Sequence, residues 1–283
     1  MSLIPAQFPH RLLVAALMLA AGTAFARPPV AAPDNLLDDS FTLQAGIGLT
    51  SNSTQFRYDS VSGVAGTVID AEHDAGVPSL KLMGRAELML RAHDRHRIRL
   101  TDSYLPVDRR GTAVLQAPVR FGEPPPFATG ATIDTKLNVS MLALTYEYSF
   151  VKTKRVEIAA GLGVEVFGTE AVIARRAPVR TVRSEGSRPT PIAGLESTVR
   201  LNSRFYFESR AQYIKATLGR GYGRGSVRVA AVDADLLYRL MPNVTLGIGY
   251  THLNVVVDAP ELGIGAGLAL VSRGPQLFAR VGF

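Results

Sequence analysis

Apolar residues recur on every second position over long stretches of this chain. That period predicts β-strands with one apolar face. Phe41, Leu43, Ala45, Ile47 and Leu49 alternate with Thr42, Gln44, Gly46, Gly48 and Thr50. Leu80, Leu82, Ala86, Leu88 and Leu90 alternate with Lys81, Arg85, Glu87 and Arg91. A third strand is predicted to start near Arg97, and others to cover roughly 133–150, 156–167, 191–201, 205–215, 227–240, 244–253 and 274–283, ten in all. Each has about the 9–11 residues that cross a bilayer at barrel tilt, or somewhat more. The last strand sets Pro275, Leu277, Ala279, Val281 and Phe283 on one face, with Gln276, Arg280 and Gly282 on the other and Phe278 as the exception. A closed barrel requires such a strand, because the last must pair with the first.

The predicted connections alternate in length. Short ones fall at 93–95, 151–155, 202–204 and 241–243, and long ones at 51–78, 107–131, 168–190, 216–226 and 254–273. Both ends of the barrel then lie on the short-turn side. An even strand count with short periplasmic turns and long outer loops is the habit of bacterial outer-membrane barrels. A soluble β-sandwich, the alternative, has no reason to segregate loop length by side. The fold class is therefore all-β, a transmembrane antiparallel up-and-down barrel. Register sharpens this. A turn at 202–204 sets Glu196 opposite Arg210 and Thr198 opposite Glu208, with Arg200 a diagonal step from Glu208. A turn at 241–243 sets Asp235 opposite Gly249 and Asp233 opposite Thr251. In both hairpins polar face meets polar face, as cross-strand pairing demands.

Leu12 to Ala21 is an apolar run too short to span a membrane, and Ala24-Phe25-Ala26 fits a small-x-small cleavage pattern. Residues 1–26 are expected to be a cleaved signal peptide, 27–39 a Pro/Ala-rich periplasmic lead-in, and 40–283 the barrel. The chain has no Cys, which excludes disulfides and thiol chemistry. Its net charge is +7, and loss of the leader's one base, Arg11, lowers it by one.

Collected by parity, the inward bases are Lys81, Arg85, Arg91, Arg99, Arg200, Arg210, Arg239 and Arg280. The inward acids are Glu87, Glu147, Glu157, Glu165, Glu196, Glu208, Asp233 and Asp235. The signs nearly cancel, and ten strands enclose little space. The interior reads either as a structural ion-pair core or as a narrow polar pore; a lumen of one sign would have argued for ion selectivity. Asp102 resists the scheme, because parity places it on the outer face between Leu100 and Tyr104. A bulge before Tyr104 or a place near the outer rim would relieve it, and Pro106 soon afterwards favours a frayed or bulged strand.

Asp233, Asp235 and His252 are the best candidates for a water-activating site, but parity turns His252 outward. His93 and His96 flank a tight turn with no further metal ligands nearby. There is no Gly-x-Ser-x-Gly elbow, phosphate-binding loop or His-Glu-x-x-His. No cofactor and no nucleic acid is expected. The remaining candidates are loop arginines with few acids around them: Arg175, Arg176, Arg180, Arg183 and Arg188, then Arg220, Arg224 and Arg228, and Arg109 with Arg110. On an outer surface the nearest anion is lipopolysaccharide phosphate, which Arg matches well; solvated loops are the plainer alternative.

The chain resembles bacterial outer-membrane β-barrel proteins of a mostly uncharacterised, porin-like group. The likeness rests on Gly66 to Glu72, on Asp94-Arg95-His96-Arg97-Ile98, and on Ile133 to Leu137 with Tyr146 to Phe150. The resemblance implies an outer-membrane location and no catalytic residue. Omptin-type proteases share the strand count, but their acidic and His-Asp pairs are not matched. The resemblance also implies that Phe283 is read by the barrel-assembly machinery. The expected function is non-enzymatic, structural or surface-binding, with a narrow solute channel as the alternative and an outer-membrane hydrolase behind it.

Overall fold

The computed structural model describes residues 35–60, 64–122, 125–218, 225–259 and 266–283. The predicted leader and most of the lead-in lie outside them. Its strands are β1 (Phe41–Tyr58), β2 (Ile69–Asp70), β3 (Leu80–His93), β4 (His96–Val114), β5 (Thr132–Lys152), β6 (Val156–Arg175), β7 (Arg180–Arg200), β8 (Phe205–Leu218), β9 (Gly225–Met241), β10 (Val244–Ala259) and β11 (Ala266–Gly282). Neighbours pair antiparallel in sequence order, and β11 returns to β1. The two-residue β2 pairs with β1 at Gln55 and Phe56, above the top of β3. Ten strands therefore close the wall, with Leu43 opposite Val281, Ala45 opposite Ala279 and Ile47 opposite Leu277. Both sequence-derived hairpin registers are present: Glu196 faces Arg210, Thr198 faces Glu208, Asp235 faces Gly249 and Asp233 faces Thr251.

The strands slant. A line of paired residues runs from Phe41 through Leu90, Ile98, Tyr146, Leu162, Ala193, Tyr213, Ala230, Asn254 and Val271, and meets β1 again at Ser53. It closes twelve residues above its start, which is the stagger that tilts strands in a closed barrel. The outer faces of the lower strands carry exposed Ile47, Leu49, Leu144, Leu162, Leu195, Leu236, Ile248 and Leu277. Tyr146, Tyr148, Phe150 and Phe205 lie toward the short-turn end of this belt, and Tyr213 and Tyr250 toward its other edge. That is the apolar band and aromatic girdle of a membrane barrel.

The long-loop expectation is corrected. The ten wall strands are 14 to 21 residues long and run well above the belt. Residues 168–190 form the tops of β6 and β7 joined by a turn of four, Arg176 to Val179, not a loop. The tops of β1, β4, β8, β9, β10 and β11 likewise occupy stretches read as loop. The cause is an inversion of the two faces. Below, polar side chains point in and apolar ones point to lipid. Above, Ser51, Ser53 and Gln55 on β1, and Lys136, Asn138 and Ser140 on β5, take the outer face, where there is water. Phe56, Ile133, Leu137, Val139, Met141, Ile173, Val229, Val255 and Leu270 point inward and form a core. Period two persists, but its apolar phase changes sides within single strands.

That upper core is completed by connecting segments that fold into the mouth. Ile69, Ala71, Ala75 and Val77 come from one, and Leu115, Val119, Phe121 and Phe127 from another. Phe121 packs edge-on against Phe56 at 5.7 Å between ring centres. Arg109, read as a loop base, is instead fully buried on β4. It donates to Thr54 Oγ1 at 3.1 Å and pairs with Glu72, whose other oxygen accepts from Thr54 N at 2.7 Å. The pair ties the 69–77 segment to the inside of the wall. The register shift on β4 lies between Leu105 and Arg109, beyond Asp102. Asp102 thus stays opposite Ala86 and Leu142 on the outer side, yet only 6% of it is exposed.

Candidate functional site

The lower interior is a ladder of opposite charges that crosses the barrel. Arg99 on β4 donates from Nε to Glu147 at 2.8 Å, from Nη2 to Glu196 at 2.8 Å, and pairs with Glu87. Arg210 on β8 reaches Glu87 on β3 at 2.8 Å and Glu196 on β7 at 2.9 Å. Arg85 pairs with Asp233 at 2.9 Å, and Arg280 with Glu208 at 2.9 Å. Nearer the periplasm, Arg91 on β3 makes a two-pronged bond to Glu157 on β6 at 2.8 and 3.0 Å. β3 is paired with β1 and β4, so its contacts with β6, β8 and β9 are made through the lumen, not along the wall.

Sequence parity missed one member. Arg97, only 4% exposed, joins Glu147 at 2.9 Å and Glu196 at 3.0 Å. Its alternation with Arg99 and the outward Ile98 was the available signal. Not every expected member joins the ladder. Arg200 donates to the turn carbonyl of Asn202 at 3.1 Å, because it lies at the short-turn rim where that carbonyl is closer than any lumen acid. Asp235 accepts from Gln276 at 2.6 Å instead of from an arginine. Glu165 faces the boundary between the charged half and the apolar core, and its Oε1 has no hydrogen-bond partner among the described residues. It lines a cavity of about 50 Å³ with Met83, Met141, Ile192, Arg85 and Asp233. Such a space holds a few water molecules.

The periplasmic mouth is occupied too. Residues Leu36–Asp38, from the expected lead-in, form a single 3-10 turn capped by the Asn35 side chain. Leu36 packs with Tyr206, Leu237 and Phe278 inside the barrel end. Asn35 donates to the Lys154 carbonyl at 3.1 Å and accepts from Tyr206 at 3.3 Å. Phe278, the exception to the lipid-facing pattern of the last strand, points inward, opposite Gly46 on β1 and Gly247 on β10. A side chain at either glycine would collide with it.

Asp39 sits beneath this turn, almost fully buried, and Arg91 Nε donates to its carbonyl at 3.2 Å. Burial pushes its carboxyl up to about 7, against the pull of Arg239, Arg280 and Arg91 and with a small push from Asp38. A folded-state value above the ordinary one gives stability that is full at low pH and lost as pH rises through about 7. Seating of the 35–39 segment should therefore loosen from pH 5 to pH 8. Hydrogen-exchange protection at Asp38 and Asp39, corrected for the intrinsic rate at each pH, should fall over that interval. Asp39→Asn should abolish the trend; an equal trend in that variant would assign it to another group.

At the outer end, the hairpin arginines have intramolecular partners. Arg176 grips Asp134 with bonds of 2.7 and 2.8 Å, and this pairing raises its own proton affinity. Arg183 pairs with Glu170 at 3.1 Å. Arg175 and Arg180 lie 5.8 and 5.0 Å from the centre of the Phe127 ring, and Arg175 also bonds to the Pro178 carbonyl. Arg220 and Arg224 lie outside the described residues. The catalytic candidates are divided by the wall: Asp233 is inside and bonded to Arg85, while His252 stands on the outer face between Val232 and Arg273. No cluster fit to hold a metal occurs among the described residues. At the chain end, the Phe283 carbonyl accepts from Ser40 N at 2.6 Å and its amide donates to Phe41 at 2.9 Å.

No family model and no curated protein matches this chain. Among solved structures it is similar to the outer membrane protease OmpT from Escherichia coli, at 11% identity over 88% of this chain and 98% of that one, with a TM-score of 0.55. It also matches the translocator domain of the autotransporter NalP from Neisseria meningitidis, at 12% identity over 97% and 96% of the two chains, with a TM-score of 0.41. A Pseudomonas aeruginosa FadL homologue matches at 10% identity over 89% and 92%, with a TM-score of 0.40. The chain is a β-barrel of the bacterial outer-membrane kind, and the likeness carries the fold and nothing finer.

Proposed function

We propose that this outer-membrane barrel is non-conducting and non-enzymatic, and that it works as a structural or binding protein through its outer surface. The observation that carries this reading is the cross-lumen pairing of β3 with β6, β8 and β9 through Arg91, Glu87 and Arg85. Ion pairs that span the bore occupy the cross-section that an aqueous path would have to use. The apolar core above and the Leu36–Asp38 turn below support it from either side. The Asp–His site that a hydrolase reading called for is not assembled, because Asp233 and His252 stand on opposite faces of the wall. Phe283, held at the seam with β1, keeps its proposed part as the segment read by the assembly machinery. Liposomes carrying the refolded protein should swell no faster in small sugars than empty liposomes. Swelling at a rate typical of a porin would favour the channel alternative.

A further inference from the structure

We propose that two basic pairs on the outer wall, Lys215 with Arg228 and Arg273 with His252, form a docking site for the phosphate groups of an outer-leaflet glycolipid. The four residues lie on adjacent strands, β8, β9, β11 and β10. Lys215 is directly opposite Arg228, and His252 directly opposite Arg273. The two pairs are offset along the strands, because Arg228 faces Val256, four residues above His252 on β10. All four point outward. Lys215 stands two residues above Tyr213 and His252 two residues above Tyr250, so the group sits at the upper edge of the aromatic girdle. That is the depth at which the phosphates of an outer-leaflet lipid meet the protein. Below it, exposed Leu236, Ile248 and Leu277 offer an apolar wall for acyl chains.

Charge distribution singles this group out. None of the four has a hydrogen bond or ion pair among the described residues, whereas the outward arginines of the hairpin, Arg176 and Arg183, are held by Asp134 and Glu170. On the outward faces of β8 to β11 the one described acid is Asp258, near the top of β10 and 3.8 Å from Arg57. Like charges directly opposite each other on paired strands are unfavourable. Lys215 and Arg228 accept that penalty in the bare protein, and a bound phosphate would turn it into attraction. Guanidinium groups also suit phosphate because they offer parallel N–H donors.

The site rests on the outer-membrane reading but not on the lumen being closed, so conductance and lipid binding can fail separately. The test is native mass spectrometry of refolded protein in detergent, titrated with lipid A carrying both phosphates and with the same lipid A stripped of phosphate. Wild type should prefer the phosphorylated form by about tenfold or more, the scale of one strong charged contact. Lys215→Gln with Arg228→Gln and Arg273→Gln should lose that preference. Arg175→Gln with Arg176→Gln should keep it. If the triple variant does not refold, Arg228→Gln with Arg273→Gln serves the same purpose. A preference that survives these changes, or that the hairpin variant abolishes, overturns the site. Displacement by millimolar inorganic pyrophosphate would also overturn it, since the site would then take free phosphate without lipid.

Discussion

Replacing Arg99 by Met is expected to cost about 3–5 kcal/mol of stability, the usual loss when one partner of a buried ion pair is removed. Arg99 is held by Glu87, Glu147 and Glu196, and removing it leaves their carboxylates facing one another inside the barrel. Arg97 and Arg210 remain, but each already serves two of these acids. Urea unfolding of the refolded protein in lipid vesicles measures the loss. A second change, Glu147→Leu, restores charge balance and should recover more than half of it, because an ion pair replaced by apolar groups of like volume is often close to neutral. The magnitude reports on the lumen itself. In a water-filled bore the same pairs would be screened, and Arg99→Met would cost about 1 kcal/mol or less.

Phe278→Ala should cost a similar amount, about 3–5 kcal/mol, by opening a cavity behind the closing seam. The ring fills the space left by Gly46 and Gly247 on the two strands that flank β11, and it touches the Leu36 turn. Its effect should be strongly coupled to Gly247. Gly247→Leu alone should destabilise the barrel, because its side chain would occupy the place of the ring. In the Phe278→Ala background the same leucine fills the cavity and should return part of the lost stability. Simple additivity of the two changes would mean that Phe278 does not pack there.

The parts of the structure that the sequence foretold are those set by local rules. Short turns fix which residues face each other, so Glu196–Arg210 and Asp233–Thr251 followed from counting outward from 202–204 and 241–243. The closing pair β1–β11 followed because a barrel has no free edge. What escaped depended on partners far apart in the chain. Nothing local says that Arg210 on β8 meets Glu87 on β3, since only the bore diameter brings them together. Arg109 looked like a loop charge because the strand around it has its water side outside and its apolar side inside. The same inversion hid the upper halves of the strands, where a rule tuned to lipid-facing apolar residues finds polar ones. Leu36 and Leu37, two apolar residues in a Pro/Ala-rich lead-in, carried no periodic signal that could announce a plug.

The decisive measurement is single-channel recording of the refolded protein in planar bilayers, from pH 5 to pH 8. A bore crossed by Arg91–Glu157, Arg210–Glu87 and Arg85–Asp233 pairs should give no steady conductance steps at moderate voltage. Reproducible steps of uniform size in the wild-type protein would contradict the sealed interior.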